Sequence, residues 1–215
     1  MKKIFYPLFL VSLFLIIACN NSKKKQEQQQ DSIKKESINS PEEVRQISEV
    51  ISRFVRAYLS QDKEKVNALI HPEYGIAIIH RPGASDTYTV IDSIDFKQPM
   101  PNYYPYETFQ NDQVLTFEAL PEYDCGKEKW SKIGFFCDTT INKQTNHLET
   151  IDKFLEEFEN VKIDEKKSKL TNDLEKGSFR VILAQENNHL IFHVKLFGTA
   201  WYVTILDRAY ASCDA

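Results

Sequence analysis

The first residues whose type and spacing could do chemistry are His189 and His193. Four positions apart on a helix, two imidazoles share one face and can hold one divalent metal ion. Here the intervening Leu190-Ile191-Phe192 is rich in β-formers, so the pair is expected on a strand. At ~3.3 Å of rise per residue the two side chains then stand about 13 Å apart. Zinc–nitrogen bonds of ~2.0–2.1 Å cannot span that gap. Both histidines are therefore read as exposed or partly packed, and no metal site is assigned. His80 and Asp92 lie on the two arms of an expected hairpin, and Tyr58 lies in an apolar stripe. Tyr58 reads as core with its hydroxyl capped by a carbonyl, and His80, beside Arg81, as solvated. Tyr58 and His80 are kept as candidate pocket residues. The chain contains no HExxH, GxSxG, P-loop, paired CxxC or dinucleotide-binding glycine pattern. No catalytic residue and no cofactor is assigned.

A binding surface is suggested by Pro99 to Phe109, where Tyr103, Tyr104, Tyr106 and Phe109 stand among prolines. Tyrosines held by prolines form a rigid amphipathic surface suited to a sugar, peptide or protein. They can equally fold back over a sheet, and covering the sheet is the favoured expectation. The elements that must position these residues begin with Ser40-Pro41-Glu42-Glu43, a capping box with proline at the first helical position. Val44, Ile47, Ile51, Phe54, Val55, Tyr58 and Leu59 then follow helical spacing. Asp62 opens a shorter helix that ends at His71-Pro72. Residues 75–80 and 87–92 read as a hairpin, 114–120 and 133–139 as two further strands, and Asn146 with Glu149 as the cap of a third helix. A short helix is expected near 170–174. Runs 179–184, 189–197 and 201–207, joined by short connections, read as an antiparallel meander. In its second strand Leu190, Phe192, Val194 and Leu196 should face the helices. Ile191, Phe197 and Tyr202 then need a cover, which the segment 93–145 is expected to supply.

At the N-terminus Lys2 and Lys3 precede an apolar run from Ile4 to Ala18. As a helix that run spans about 22 Å, short of a ~30 Å hydrocarbon core, as in a signal peptide. Ile16-Ile17-Ala18-Cys19 resembles the bacterial lipobox. The resemblance implies a signal peptide over 1–18, cleavage before Cys19, and palmitate-type acylation that ties the protein to the membrane. Asn20, by analogy with enterobacterial lipoproteins, points to the outer membrane. The basic Lys23-Lys24-Lys25, unlike the acidic export signals of Bacteroidetes lipoproteins, points to its periplasmic face. Residues 19–40 form a polar tether unable to bury enough apolar surface to fold. With Cys19 lipidated, Cys125, Cys137 and Cys213 allow one internal disulfide. Cys125–Cys213 is favoured, with Cys137 as a buried thiol; Cys125–Cys137 is the alternative.

Residues 41–215 form one domain, with 20 Lys+Arg against 28 Asp+Glu. That acidity speaks against nucleic acid as a partner. The order of two helices, a hairpin, a helix and a meander resembles the nuclear transport factor 2-like superfamily, with 93–145 as an insertion, and a cystatin-like fold presents a similar order. The resemblance implies an α+β cone: N-terminal helices packed on a curved antiparallel sheet. Enzymes of that superfamily, such as ketosteroid isomerase and scytalone dehydratase, place acids or bases on the helix-facing side of the sheet, where the strand 189–197 offers none. The expectation is a non-enzymatic envelope lipoprotein that binds a small ligand or an envelope protein, with an isomerase, dehydratase or hydrolase as the alternative. The outer sheet face is a candidate homodimer surface.

Overall fold

A computed structural model describes residues 40–140 and 146–209. Helix α1 (Pro41–Leu59) starts as its capping box requires. The Ser40 hydroxyl accepts from the Glu43 N–H at 3.1 Å, and the Glu43 carboxylate accepts from the Ser40 N–H at 3.0 Å. Helix α2 (Lys63–Asn67) is capped by Asp62. The hairpin β1 (Ile76–His80) and β2 (Thr87–Ile91) and the meander β7 (Phe179–Ala184), β8 (His189–Phe197) and β9 (Ala200–Asp207) form where their period-2 patterns place them. Between these lie β3 (Leu115–Phe117), β4 (Tyr123–Asp124), β5 (Lys129–Trp130) and β6 (Gly134–Cys137), then helices α3 (His147–Phe158) and α4 (Glu165–Glu175). The two-residue strands β4 and β5 are too short to show a period in sequence. Helix α4 is longer than expected, because its mostly polar exposed face masks the few residues that anchor it.

Seven strands form one mostly antiparallel sheet in the order β2-β1-β9-β8-β7-β6-β3, with β4–β5 as a separate ribbon. The sheet departs from the fully antiparallel expectation at two pairings: β1 runs parallel to β9, and β3 parallel to β6. Alternate residues of β1 go to opposite layers. Ile76 and Ile78 join α1, α2 and the meander in the main core, while Ala77 and Ile79 pack with Leu148, Ile151, Leu155 and Leu174 of α3 and α4. Phe54 of α1 and Phe192 of β8 are fully buried, with ring centroids 4.7 Å apart. Truncating either phenylalanine would cost about 3–5 kcal/mol.

The segment 93–145 covers the outer face only in part, through Trp130 on Ile191. The tyrosine-bearing segment does not lie there, since Tyr106 and Phe109 belong to the core on the α1 side. The outer face is covered by α3 and α4, and by the β4–β5 ribbon, whose Trp130 packs on Ile182, Ala184 and Ile191. The outer face named above as a homodimer surface thus carries the chain's own elements.

Leu190, Phe192 and Val194 face the α1 core as their parity requires, whereas Leu196 is 40% exposed at the strand end. Strand β9 changes parity halfway. His193 pairs with Ile205 and Val194 with Val203, leaving Thr204 as an extra bulged residue. Val203 and Leu206 therefore face the α1 core, while Ile205 and Asp207 point to the α3–α4 side.

Candidate functional site

Tyr58 sits in the last turn of α1, where helical spacing aims it into the core at 4% exposure. Its ring lies edge-on to Tyr106 and Phe96, with centroids 5.9 and 5.7 Å away. The bulge in β9 sends Arg208, just beyond the strand, toward the tyrosine loop. Its guanidinium donates to the carbonyls of Met100, Tyr104 and Pro105, the latter two at 2.6 Å. The same cation lies 4.3 Å from the Tyr104 ring centroid and 4.4 Å from that of Tyr106. One residue thus clasps the loop through three carbonyls and two aromatic faces. Gln61 adds a hydrogen bond from its amide to the Tyr106 carbonyl at 3.3 Å, and the Tyr106 hydroxyl accepts from the Met100 N–H at 3.3 Å.

Of the four loop residues proposed as a binding surface, Tyr106 is core and Phe109 packs partly against it. Tyr104 is half-buried against Arg208 and donates to the Glu107 carboxylate at 3.2 Å. Tyr103 alone is freely exposed, at 61%. A crevice of about 20 Å³ opens between the loop and the end of β9, lined among others by Tyr58, Tyr104, Glu107, His189 and Arg208. That volume holds about one water molecule or the tip of a ligand. The Tyr58 hydroxyl has no hydrogen-bond partner among the described residues and stays open to this crevice. The expected carbonyl cap is absent there. Burial pushes the Tyr58 phenol pKa well up, with Arg208 opposing, so the group is a neutral donor. Burial also pushes the His189 pKa down.

On the other face α3 is fixed to the sheet by polar groups. His147 Nε2 is 3.2 Å from Asp86, and its Nδ1 is 3.9 Å from Asp207. Asp207 is fully buried and accepts from Arg180 at 3.1 Å, and Asp86 accepts from Arg81 at 2.6 Å. Burial acts to raise the Asp86 pKa, but hydrogen bonds from His147 and Arg81 overcome it and hold the carboxyl at about 2. For His147 burial alone would lower the pKa, and Asp86 and Asp207 together raise it. Among the described residues, these contacts of His147 are all with carboxylates, and they clamp α3 to the sheet. The helix is not capped by Asn146, which makes no side-chain cap bond. Glu175, from the end of α4, accepts instead from the N–H groups of His147, Leu148 and Glu149 at 2.6–3.3 Å. Sequence spacing cannot reveal a cap supplied from 26–28 residues away.

His193 is not exposed: it is 1% accessible, its Nδ1 is 3.0 Å from the Ser178 hydroxyl, and its Nε2 has no partner among the described residues. His80 is also buried, at 9%, rather than solvated, because its strand lies between α1 and α3–α4. Asp92 is exposed. Cys137 is a buried free thiol whose pKa burial pushes up to about 12, which removes the Cys125–Cys137 alternative. Cys125 is disulfide-bonded. Cys19 and Cys213 lie outside the described residues, as do the expected signal peptide and the expected tether up to residue 39. Among the described residues no cluster of three His, Cys, Asp or Glu could hold a metal ion, and no helix is long and apolar enough to cross a membrane.

Fold and site define a class: an α+β domain with a mostly antiparallel sheet between two helical layers and a tyrosine loop clasped over one end. Comparison with protein-family models, with curated proteins and with solved structures gives no match for this chain.

Proposed function

We propose that the protein is a lipid-anchored envelope protein whose domain is a non-enzymatic binding module, with the clasped tyrosine loop and its crevice as the recognition site. The observation that carries the reading is the Tyr58 hydroxyl, a donor without a partner among the described residues, on a side chain only 4% exposed and open to a crevice beside Arg208. Because the hydroxyl opens to the crevice and is held neutral, it is available to an acceptor brought by a ligand. The non-enzymatic reading is supported by the filled space between α1 and the sheet, where Ile47, Ile51, Phe54, Leu183 and Phe192 are inaccessible. An elaborated cone of the nuclear transport factor 2-like kind is our reading of the topology, supported by α1 and α2 lying on the same side of the meander. The lipobox at Cys19 supports acylation, Asn20 an outer-membrane location, and Lys23-Lys24-Lys25 its periplasmic face.

The test uses the whole protein in a sugar-free detergent, titrated with acetate and with N-acetylated amino acids and followed by backbone NMR. Shifts should map to Tyr104–Gln110 and Leu206–Arg208 and weaken in Tyr58→Phe. Shifts absent or elsewhere would remove the site, and turnover of a probe would remove the non-enzymatic reading. Mass spectrometry of the mature N-terminus should show acylated Cys19; a Cys19→Ala variant that still takes up labelled lipid would refute the anchor.

A further inference from the structure

Beyond the crevice, Phe109 leads directly into a second concavity, a groove of about 680 Å³ between the segment 110–113 and the β7–β8 turn at 185–188. Its lining is unusual in composition. Gln110, Asn111, Gln113, Gln185, Asn187 and Asn188 are all carboxamides, and the other lining residues are Asp112, Glu186 and Ile133. The rest of the described domain holds only eight further Asn and Gln. Folding, not sequence proximity, unites the two groups, since they are some 75 residues apart and joined by the Gln185 amide donating to the Gln110 carbonyl at 2.7 Å. The Gln185 N–H donates to the Asn188 carbonyl at 2.8 Å and closes the turn. Asn111 and Gln113 are partly fixed as well: the Asn111 side chain accepts from the Gln113 N–H at 2.9 Å, and the Gln113 amide donates to Asp112 at 3.0 Å. The side-chain amides of Gln110, Asn187 and Asn188 make no hydrogen bond among the described residues.

A carboxamide offers an acceptor and two donors without charge, which matches a ligand hydroxyl that both gives and takes a hydrogen bond. No lysine or arginine lines the groove, and Asp112 and Glu186 oppose phosphate and carboxylate. Ile133, 45% exposed, is the one apolar lining residue, so the groove lacks the row of apolar sockets that a peptide's side chains would need. Its volume lies in the range of small-molecule sites. We infer that this amide-lined groove binds an uncharged polysaccharide strand through its hydroxyl groups. The inference rests on the reading of the domain as a binding module and adds a ligand class and a second site.

The experiment is calorimetric titration of the whole protein, in a detergent without a sugar headgroup, with cellohexaose and hexa-N-acetylchitohexaose. A galacturonic acid oligomer and hexaalanine serve as the acidic and peptide probes. One of the neutral oligosaccharides should bind, and Asn187→Ala with Asn188→Ala should weaken it about tenfold or more, as expected for two lost hydrogen bonds. Both residues sit at a surface turn, so an unchanged melting temperature verifies that the variant is folded. Failure of both neutral probes to bind, binding indifferent to the two substitutions, or tighter binding of the acidic or peptide probe overturns the inference. Groove-dependent binding accompanied by cleavage keeps the groove and overturns the non-enzymatic reading, so the two can fail separately.

Discussion

Replacing Arg208 by alanine removes the clasp on the tyrosine loop in a single step. The side chain donates to three carbonyls and stacks on two rings. Hydrogen bonds from a charged group contribute about 1.5–3 kcal/mol each, but the contact with Pro105 is exposed and that range must be discounted for solvent. Taking about 0.7 kcal/mol per carbonyl and about 0.5 kcal/mol per ring gives about 3 kcal/mol. In a domain of this length that corresponds to a fall in Tm of about 6–12 °C. Urea unfolding gives the stability, and limited proteolysis shows whether cleavage now occurs between residues 99 and 109. Arg208→Lys keeps the charge but loses the planar fork, and should recover less than half the loss. If Arg208→Ala stays within about 0.5 kcal/mol of the parent with the loop still resistant, the clasp is not what holds the loop.

Buried His193 and half-buried His147 give opposite limbs to the pH profile. His193 has a depressed folded pKa, from burial first and then the positive charge of Arg180 and His147, so its contribution fades as pH falls below the unfolded value near 6.5. His147 has a raised folded pKa, so its contribution is full below about 6.5 and fades as pH rises through the folded value. Urea titrations from pH 5 to 8.5 should show a stability maximum near 6.5, with His147→Gln flattening the alkaline limb; an unchanged alkaline limb in that variant contradicts the assignment. Tyr88 donates to Asp152 at 2.7 Å and lies 2.9 Å from the Thr171 hydroxyl, all three buried. Tyr88→Phe should cost about 1–2 kcal/mol by denaturant unfolding, and no loss would show that the triad is not coupled to folding. Non-reducing peptide mapping should find Cys125 joined to Cys213, with Cys137 open to alkylation only after unfolding; a labelled Cys137 in the native protein would contradict its burial.

Strong local signals in the sequence were sufficient for α1, the β1–β2 hairpin and the meander. Ser40-Pro41-Glu42-Glu43 needs only its own neighbours to start a helix, and Thr87–Ile91 needs only its alternation to become a strand. The apolar parity of Leu190, Phe192 and Val194 likewise followed from the two-residue period of a strand. Burial of His193 was not legible, because the second helical layer that covers its face comes from distant α3 and α4. Nor was the cap of α3, because Glu175 reaches it only once α4 has docked.

What the sequence determined by itself is therefore local: element order, the apolar faces, the acidic balance, and the lipobox that motivates an anchor at Cys19. What the tertiary structure decided is everything that depends on parity and docking. One bulged residue, Thr204, turns Asp207 under α3 and Arg208 toward the tyrosine loop. A strand's period says that its residues alternate, but where the alternation slips is decided by pairing with β8. The crevice at Tyr58 and the amide groove exist for the same reason, since each joins segments that meet only across the folded sheet.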